Sequence, residues 1–357
     1  MSDLNQKNVW IFCRVIDNFG DAGVAWRLAK NLQADLSCQV VLFIDNFTTL
    51  AHIVPELETQ KQQQNINKIN IIHWKDDNTF SGSLKNLPKP DFVIETFACE
   101  LPDSIKEIIF QNKALWLNWE YLTAEHWAEE MHLLPSPQAN GTNKYFYFMG
   151  FSKKSGGLLR EKNILPKPPK KVSGSLKTYI FAYSSTIWQN WFDCWANLPL
   201  NMHIDLAGNQ VRLPENHLSC QHAPFVSQEK FDDLLSQYDL LIVRGEDSFV
   251  RTQYTGKPFF WHIYPQDNQI HIIKLHAFWD RVYAYFPPEL SLAHSRLSDE
   301  LNGVVVLTDE ERKNNFMILF ENFEKWQNAQ QQWQAYLFRQ KSANEKLIEW
   351  LKEQGAK

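Results

Sequence analysis

Cysteine is scarce in this chain: 357 residues carry five, at Cys13, Cys38, Cys99, Cys194 and Cys220. Their number is odd, none stands in a CxxC pair, and three lie in or beside apolar segments. That pattern predicts buried thiols in a reducing compartment and argues against a disulfide scaffold. Glycine is sparse as well, with 13 residues, and the sequence has no GxGxxG, Walker A or GxSxG. The dinucleotide fingerprint, the P-loop and the nucleophile elbow are therefore absent. His262, His271 and His276 make neither HExxH nor another recognised ligand spacing, so no metal is expected. No apolar run approaches the roughly 20 residues that cross a bilayer. The start of the chain lacks a basic stretch followed by an apolar core, so no secretory signal is read. A cytoplasmic protein without membrane association is the expectation. Positive charge is not in surplus either: 36 Lys and Arg against 41 Asp and Glu leave a formal charge of −5. That sign argues against direct nucleic-acid binding.

Apolar residues make up 44% of the chain and charged residues 22%, ordinary for a globular protein of two domains. The 14 tryptophans and 24 phenylalanines are a surplus that leaves some rings for stacking on ligands. Short apolar runs alternate with helical spacing: Val9 to Val15, Gln39 to Ile44, Ile69 to His73, Phe92 to Glu95 and Ala114 to Leu117 read as strands. Val24, Leu28 and Leu32 recur on one face of a helix. The polar tract Gln60 to Asn67 reads as a surface loop or frayed helix end. Pro, Lys, Ser and Gly from Leu165 to Ser175 mark a linker, after which the alternation restarts with strands at Tyr179, His203, Leu240 and Phe259. From Asp309 to about Lys352 the chain reads as a long, glutamine-rich helical tail. The class is α/β with two mainly parallel sheets. Two such domains on one linker place a cleft between them, and in open α/β sheets ligands bind beyond the carboxyl ends of strands.

Two loops satisfy that rule. Residues 16 to 23 put Asp17 and Asp21 four apart at a strand end, with Gly20 and Gly23 permitting a tight turn. Paired carboxylates there suit general-base work or the gripping of a cation; equally, one could cap the following helix and the other close an Asx-turn. Residues 244 to 248 lead from a buried strand into a helix start, where free N–H groups, Arg244 and the Ser248 hydroxyl suit a diphosphate. Glu246 and Asp247 would repel phosphate and so should meet sugar hydroxyls. A capped helix with a surface ion pair explains the same residues.

The segments WIFCRVIDNFGDAGVAWRLAKNL (Trp10 to Leu32) and PFVSQEKFDDLLSQYDLLIVRGEDSFVRTQYTGKPFFWHIYPQ (Pro224 to Gln266) resemble the EarP family of elongation factor P arginine rhamnosyltransferases. WLNWEYLTAEHW (Trp116 to Trp127) and MGFSKKSGGLLRE (Met149 to Glu161) resemble it too. The resemblance implies a GT-B fold of two Rossmann-like domains facing each other across a cleft. Residues 1–165 would bind the acceptor and 176–330 the nucleotide sugar. The glutamine-rich helical tail, 331–357, is less diagnostic of the family, and its expected place is back on the first domain. It implies an inverting, metal-independent transfer from dTDP-β-L-rhamnose to an arginine of elongation factor P, with no cofactor. By position, Asp17, Asp21 and Glu246 match essential residues. Gln228 and Phe231 match residues at the thymine, and Arg244, Asp247 and Ser248 belong to the diphosphate and sugar end. Phe181 and Tyr183 match donor-side aromatics. Asp21 is the expected base, with Asp17 orienting the arginine. Two alternatives are a GT-B enzyme with another acceptor and a non-catalytic nucleotide-sugar sensor.

Overall fold

The computed structural model describes residues 7–36, 38–75, 84, 86–166 and 174–355. The chain divides into two compact units, Met1–Asn163 with Gln340–Lys357, and Ile164–Arg339. Of the stretch read as a linker, residues 167–173 lie outside the described residues.

In the first unit the strands are β1 (Asn8–Cys13), β2 (Gln39–Ile44), β3 (Gln63–Ile66), β4 (Ile69–His73), β5 (Phe92–Thr96), β6 (Leu115–Glu120), β7 (Pro135–Pro137) and β8 (Asn143–Phe148). Their order is β3-β4-β2-β1-β5-β6-β8-β7. The six inner strands run parallel, and β3 and β7 pair antiparallel at the edges. The runs VWIFC, VVLFI and FVIET are buried throughout, as strands covered on both faces must be. On one side Trp10, Phe12, Phe43, Trp74, Ile105 and Ile109 share a core, with Phe12 stacked on Phe43 at 4.4 Å. On the helix Asn18–Leu36, Val24, Leu28 and Leu32 are buried as their spacing predicts, and Trp26 is buried with them. The helix Ala343–Gly355 packs against it. Asn344 Nδ2 donates to Asp35 Oδ2 at 2.6 Å and the Tyr147 hydroxyl to the Ala343 carbonyl at 2.8 Å.

The second unit holds β9 (Leu176–Phe181), β10 (Met202–Ala207), β11 (Ser219–Ala223), β12 (Leu240–Arg244) and β13 (Phe259–His262). All pair parallel in the order β11-β10-β9-β12-β13. Its helical layer is tied by one buried carboxylate. Glu300 accepts from Trp191 Nε1 at 2.8 Å, the Leu307 N–H at 3.1 Å and Arg312 Nη2 at 2.7 Å.

Two sequence expectations change. The tract Gln60–Asn67 contains β3, an edge strand rather than a loop or frayed helix end. Its partner β4 supplies the ladder, so it needs no apolar face of its own. The helical tail is three helices, Asp309–Glu321, Phe323–Phe338 and Ala343–Gly355. The first two lie in the second unit and the last in the first. Among the described residues no helix is long and apolar enough to cross a membrane. None of the five cysteines is in a disulfide.

Candidate active site

Among its parallel strands each sheet has one place where the chain's progress reverses. In the first unit β2 flanks β1 on one side and β5 on the other; in the second, β10 and β12 flank β9. At such points the outgoing loops part and leave room for a ligand. Both loops singled out from the sequence leave strands at these points, after β1 and after β12.

In the first unit, Asp21 is 2% exposed, although it sits in the first turn of a helix. Its Oδ2 reaches back to accept the Ile16 N–H at 2.7 Å and the Asp17 N–H at 2.8 Å, and the Tyr121 hydroxyl also bonds the carboxylate. Burial pushes its carboxyl above the usual range, against these bonds, which favour the ionised form; Asp45 raises it slightly further. Asp21 therefore closes the loop, as the capping alternative requires, and still carries a carboxylate of raised basicity. Asp17 is half-buried and its carbonyl accepts the Gly20 N–H at 2.7 Å. Its Oδ2 lies 2.6 Å from where a Cβ on residue 20 would be, so any side chain there would push the Asp17 carboxylate aside. Asp45, in the loop after β2, accepts the Val15 N–H at 3.0 Å and pins the other end of the same loop.

In the second unit, β12 ends at Arg244, which is buried. Its guanidinium lies over the rings of Phe181 at 4.6 Å and Tyr183 at 4.8 Å, so the structure joins these three predicted residues. Gly245, at φ +66°, turns the chain into the helix Asp247–Gln253, and its carbonyl accepts Trp261 Nε1 at 3.0 Å. The Ser248 hydroxyl donates to the Arg244 carbonyl at 2.7 Å, so its proton serves the helix start. Gln228, buried at the start of the helix Gln228–Leu235, donates to Asp247 Oδ2 at 3.1 Å. Phe231, one turn on, meets Tyr179 edge-on at 6.3 Å. Glu246 is the residue at the helix's N-terminal boundary. That helix is tied to Gln228–Leu235 by Arg251, whose Nε and Nη2 donate to Asp232 at 2.7 and 2.6 Å.

From the sequence, His262 is weighed only as a metal ligand. It pairs in register with Arg244 and meets Tyr183 edge-on at 5.3 Å. Burial, and then Arg244, drive its ring down to about 3, so it is a neutral member of the site. The sequence signal was its place at the end of a strand next to the RGEDS loop. Beyond Tyr183, an open cavity of about 590 Å³ is bordered by Ser185, Trp188, Gln189 and Arg212 among others; none of the predicted site residues lines it. Among the described residues no group of His, Cys, Asp and Glu is arranged to hold a metal.

Residues 9–352 match the family described as "Elongation-Factor P (EF-P) rhamnosyltransferase EarP". The chain belongs to the EarP family. A protein-arginine rhamnosyltransferase from Neisseria meningitidis (serogroup B, strain H44/76) is 43% identical over 373 residues, covering 95% of each chain. One from Shewanella oneidensis is 36% identical, covering 84% of this chain and 87% of that one. Among solved structures, one described as "Structural basis for EarP-mediated arginine glycosylation of translation elongation factor EF-P" superposes with a TM-score of 0.62. It is 22% identical and covers 98% of this chain and 99% of its own. The spinosyn rhamnosyltransferase SpnG superposes at 0.54, with 12% identity and coverage of 98% and 100%. The EarP fold is thus the GT-B glycosyltransferase fold, with two parallel-sheet units.

Proposed function

We propose that this EarP-family chain transfers L-rhamnose from dTDP-β-L-rhamnose to an arginine side chain of translation elongation factor P, with inversion and without a metal. The observation that carries the reading is Asp21: a buried carboxylate of raised basicity, oriented by two backbone N–H groups at the end of β1, in a chain of this family.

An arginine guanidinium has a pKa above about 12 and delocalised lone pairs, so it is a poor nucleophile unless positioned and deprotonated. Asp17 grips the cation and turns one nitrogen to the anomeric carbon. As the N–C bond forms, the bond from the anomeric carbon to the diphosphate oxygen breaks. The nitrogen's proton passes to Asp21, and dTDP leaves with the bonding electron pair. Single displacement from one face inverts the anomeric centre.

The second unit takes the donor. Phe231 offers its face to thymine and Gln228 an amide to the base edge. Arg244 offsets the negative charge that grows on the leaving diphosphate, and the Gly245–Ser248 backbone adds donors. Glu246 and Asp247 accept from sugar hydroxyls. The neutral ring of His262 leaves the positive charge beside the diphosphate to Arg244. Acidic side chains in the first unit favour an acceptor that presents a basic loop.

The test is the intact mass of purified elongation factor P after incubation with this protein and dTDP-rhamnose in the presence of a chelator. A gain of one rhamnosyl group on an arginine is expected. Donor turnover with the acceptor's mass unchanged would contradict the reading.

A further inference from the structure

At the carboxyl end of β5 the backbone enters a conformation that side chains with a Cβ adopt at a cost. Phe97, Ala98 and Glu100 have φ of 56°, 50° and 53°, in the left-handed region. Surrounding bonds hold the turn there. The Phe97 N–H donates to the Trp119 carbonyl at 2.8 Å. The Ala98 N–H donates to Asn118 Oδ1 at 3.0 Å, and Thr96 Oγ1 donates to the Phe12 carbonyl at 2.8 Å. Asn118 is fully buried, and its amide group also donates to Glu120. The turn fixes Phe97, whose ring lies flat against Tyr121 with centroids 4.3 Å apart and planes 17° apart. Tyr121 in turn hydrogen-bonds Asp21. Strain over-determined by its neighbours concentrates at sites where geometry matters to function.

We propose that Tyr121 is a positioning residue for Asp21, itself braced by the left-handed Phe97–Glu100 turn and the Asn118 amide. The proposal rests on Asp21 being the base. The backbone N–H groups of residues 16 and 17 fix one carboxylate oxygen. A phenol donor just after β6 adds a charge-assisted bond that restrains the group's rotation. The groups facing Asp21 come from four elements: Asp17 in its own loop, Asp45 after β2, Cys13 at the end of β1 and Tyr121 after β6. Asp45 opposes ionisation and Tyr121 favours it.

Tyr121→Phe keeps the ring and its stack on Phe97 and removes only the hydroxyl. Donor affinity should stay at the wild-type value while kcat falls on the order of tenfold. The acid limb of the kcat–pH profile should move up by as much as about one unit, because the base loses a bond to its charged form. A wild-type kcat, or a reduced kcat with an unmoved acid limb, overturns the proposal. Melting curves decide the same point without catalysis. The bond stabilises ionised Asp21, so Tyr121→Phe should lower Tm more at pH 7 than at pH 4, and equally at both in an Asp21→Asn background. The same pH response in both backgrounds overturns it. Because melting does not need the acceptor, the result stands even if elongation factor P is not modified, and the two readings fail separately.

Discussion

Gly20 shows how one missing Cβ can matter to a catalytic loop. A methyl there would sit 2.6 Å from Asp17 Oδ2, well inside contact distance, and the carboxylate is the part that can swing away. Gly20→Ala should therefore leave the fold intact and displace Asp17. A loss of at least about tenfold in kcat/KM for the acceptor is expected, with dTDP-rhamnose affinity unchanged, because a misplacement of this size commonly costs that much or more. Steady-state kinetics with each substrate varied in turn check it; an equal change in both affinities would place Asp17 elsewhere. On the donor side, Phe231 is only half-buried and meets Tyr179 in a T-shaped contact, so part of its ring stays open to a ligand. Phe231→Ala should weaken dTDP-rhamnose binding by about 1–3 kcal/mol, the range for a base stacked on an aromatic ring. Calorimetry giving an unchanged Kd removes Phe231 from the base site.

Among the elements, the helices around Glu300 are held by a charge that is costly to strand. Glu300 and Arg312 are both buried, with a separation of 2.7 Å. Truncating one partner leaves the other buried and uncompensated. Glu300→Ala should cost about 3–5 kcal/mol, read as a drop in the denaturation midpoint; a change under about 1 kcal/mol would refute the role. None of this was legible in the sequence, because Glu300 looks like any solvated helix residue and its partners lie in three other segments. The strands β1, β2, β5 and β12 were legible because strands buried on both faces must be apolar throughout. β3 and β11 were not, since QQNI and SCQHA are edge strands of mixed exposure. Of the candidate site, the loops were visible as glycine and carboxylates at strand ends. Their wiring was not: Asp21's reach back to residues 16 and 17, the Arg244 stack on Phe181 and Tyr183, and the Tyr121 contact all depend on tertiary neighbours.

For the whole molecule, the order of segments has a consequence. The first unit is built from both ends of the chain, and Leu347 and Leu351 of its last helix are buried. Removing residues 340–357 should destabilise that unit by several kcal/mol, at roughly 1.5–3 kcal/mol per large apolar side chain exposed. Hydrogen exchange should show β1 to β6 losing protection while β9 to β13 keep it; uniform loss would contradict the division. Acid should weaken the second unit most, since it holds two of the three rings concerned. Burial lowers His294 and His262 to about 3 and His132 to about 4. In the unfolded chain such rings take up protons near pH 6.5 while the folded ones cannot, so stability falls as pH drops below about 6.5. Asp21 works the other way, its contribution being lost as pH rises through its elevated pKa. Three rings outweigh one carboxylate, and Tm should decline from pH 6.5 to pH 5; a flat Tm over that interval would show the rings are not held neutral.

The most direct measurement compares wild type with Asp21→Asn, both saturated with dTDP-rhamnose, by counting rhamnosylated elongation factor P with mass spectrometry over time. Asparagine can still accept the two backbone N–H bonds but cannot take the guanidinium's proton. The expected outcome is normal donor binding, an intact fold and turnover lowered at least about a hundredfold. Turnover within a few-fold of wild type would mean that Asp21 only closes its loop and that the proton goes elsewhere.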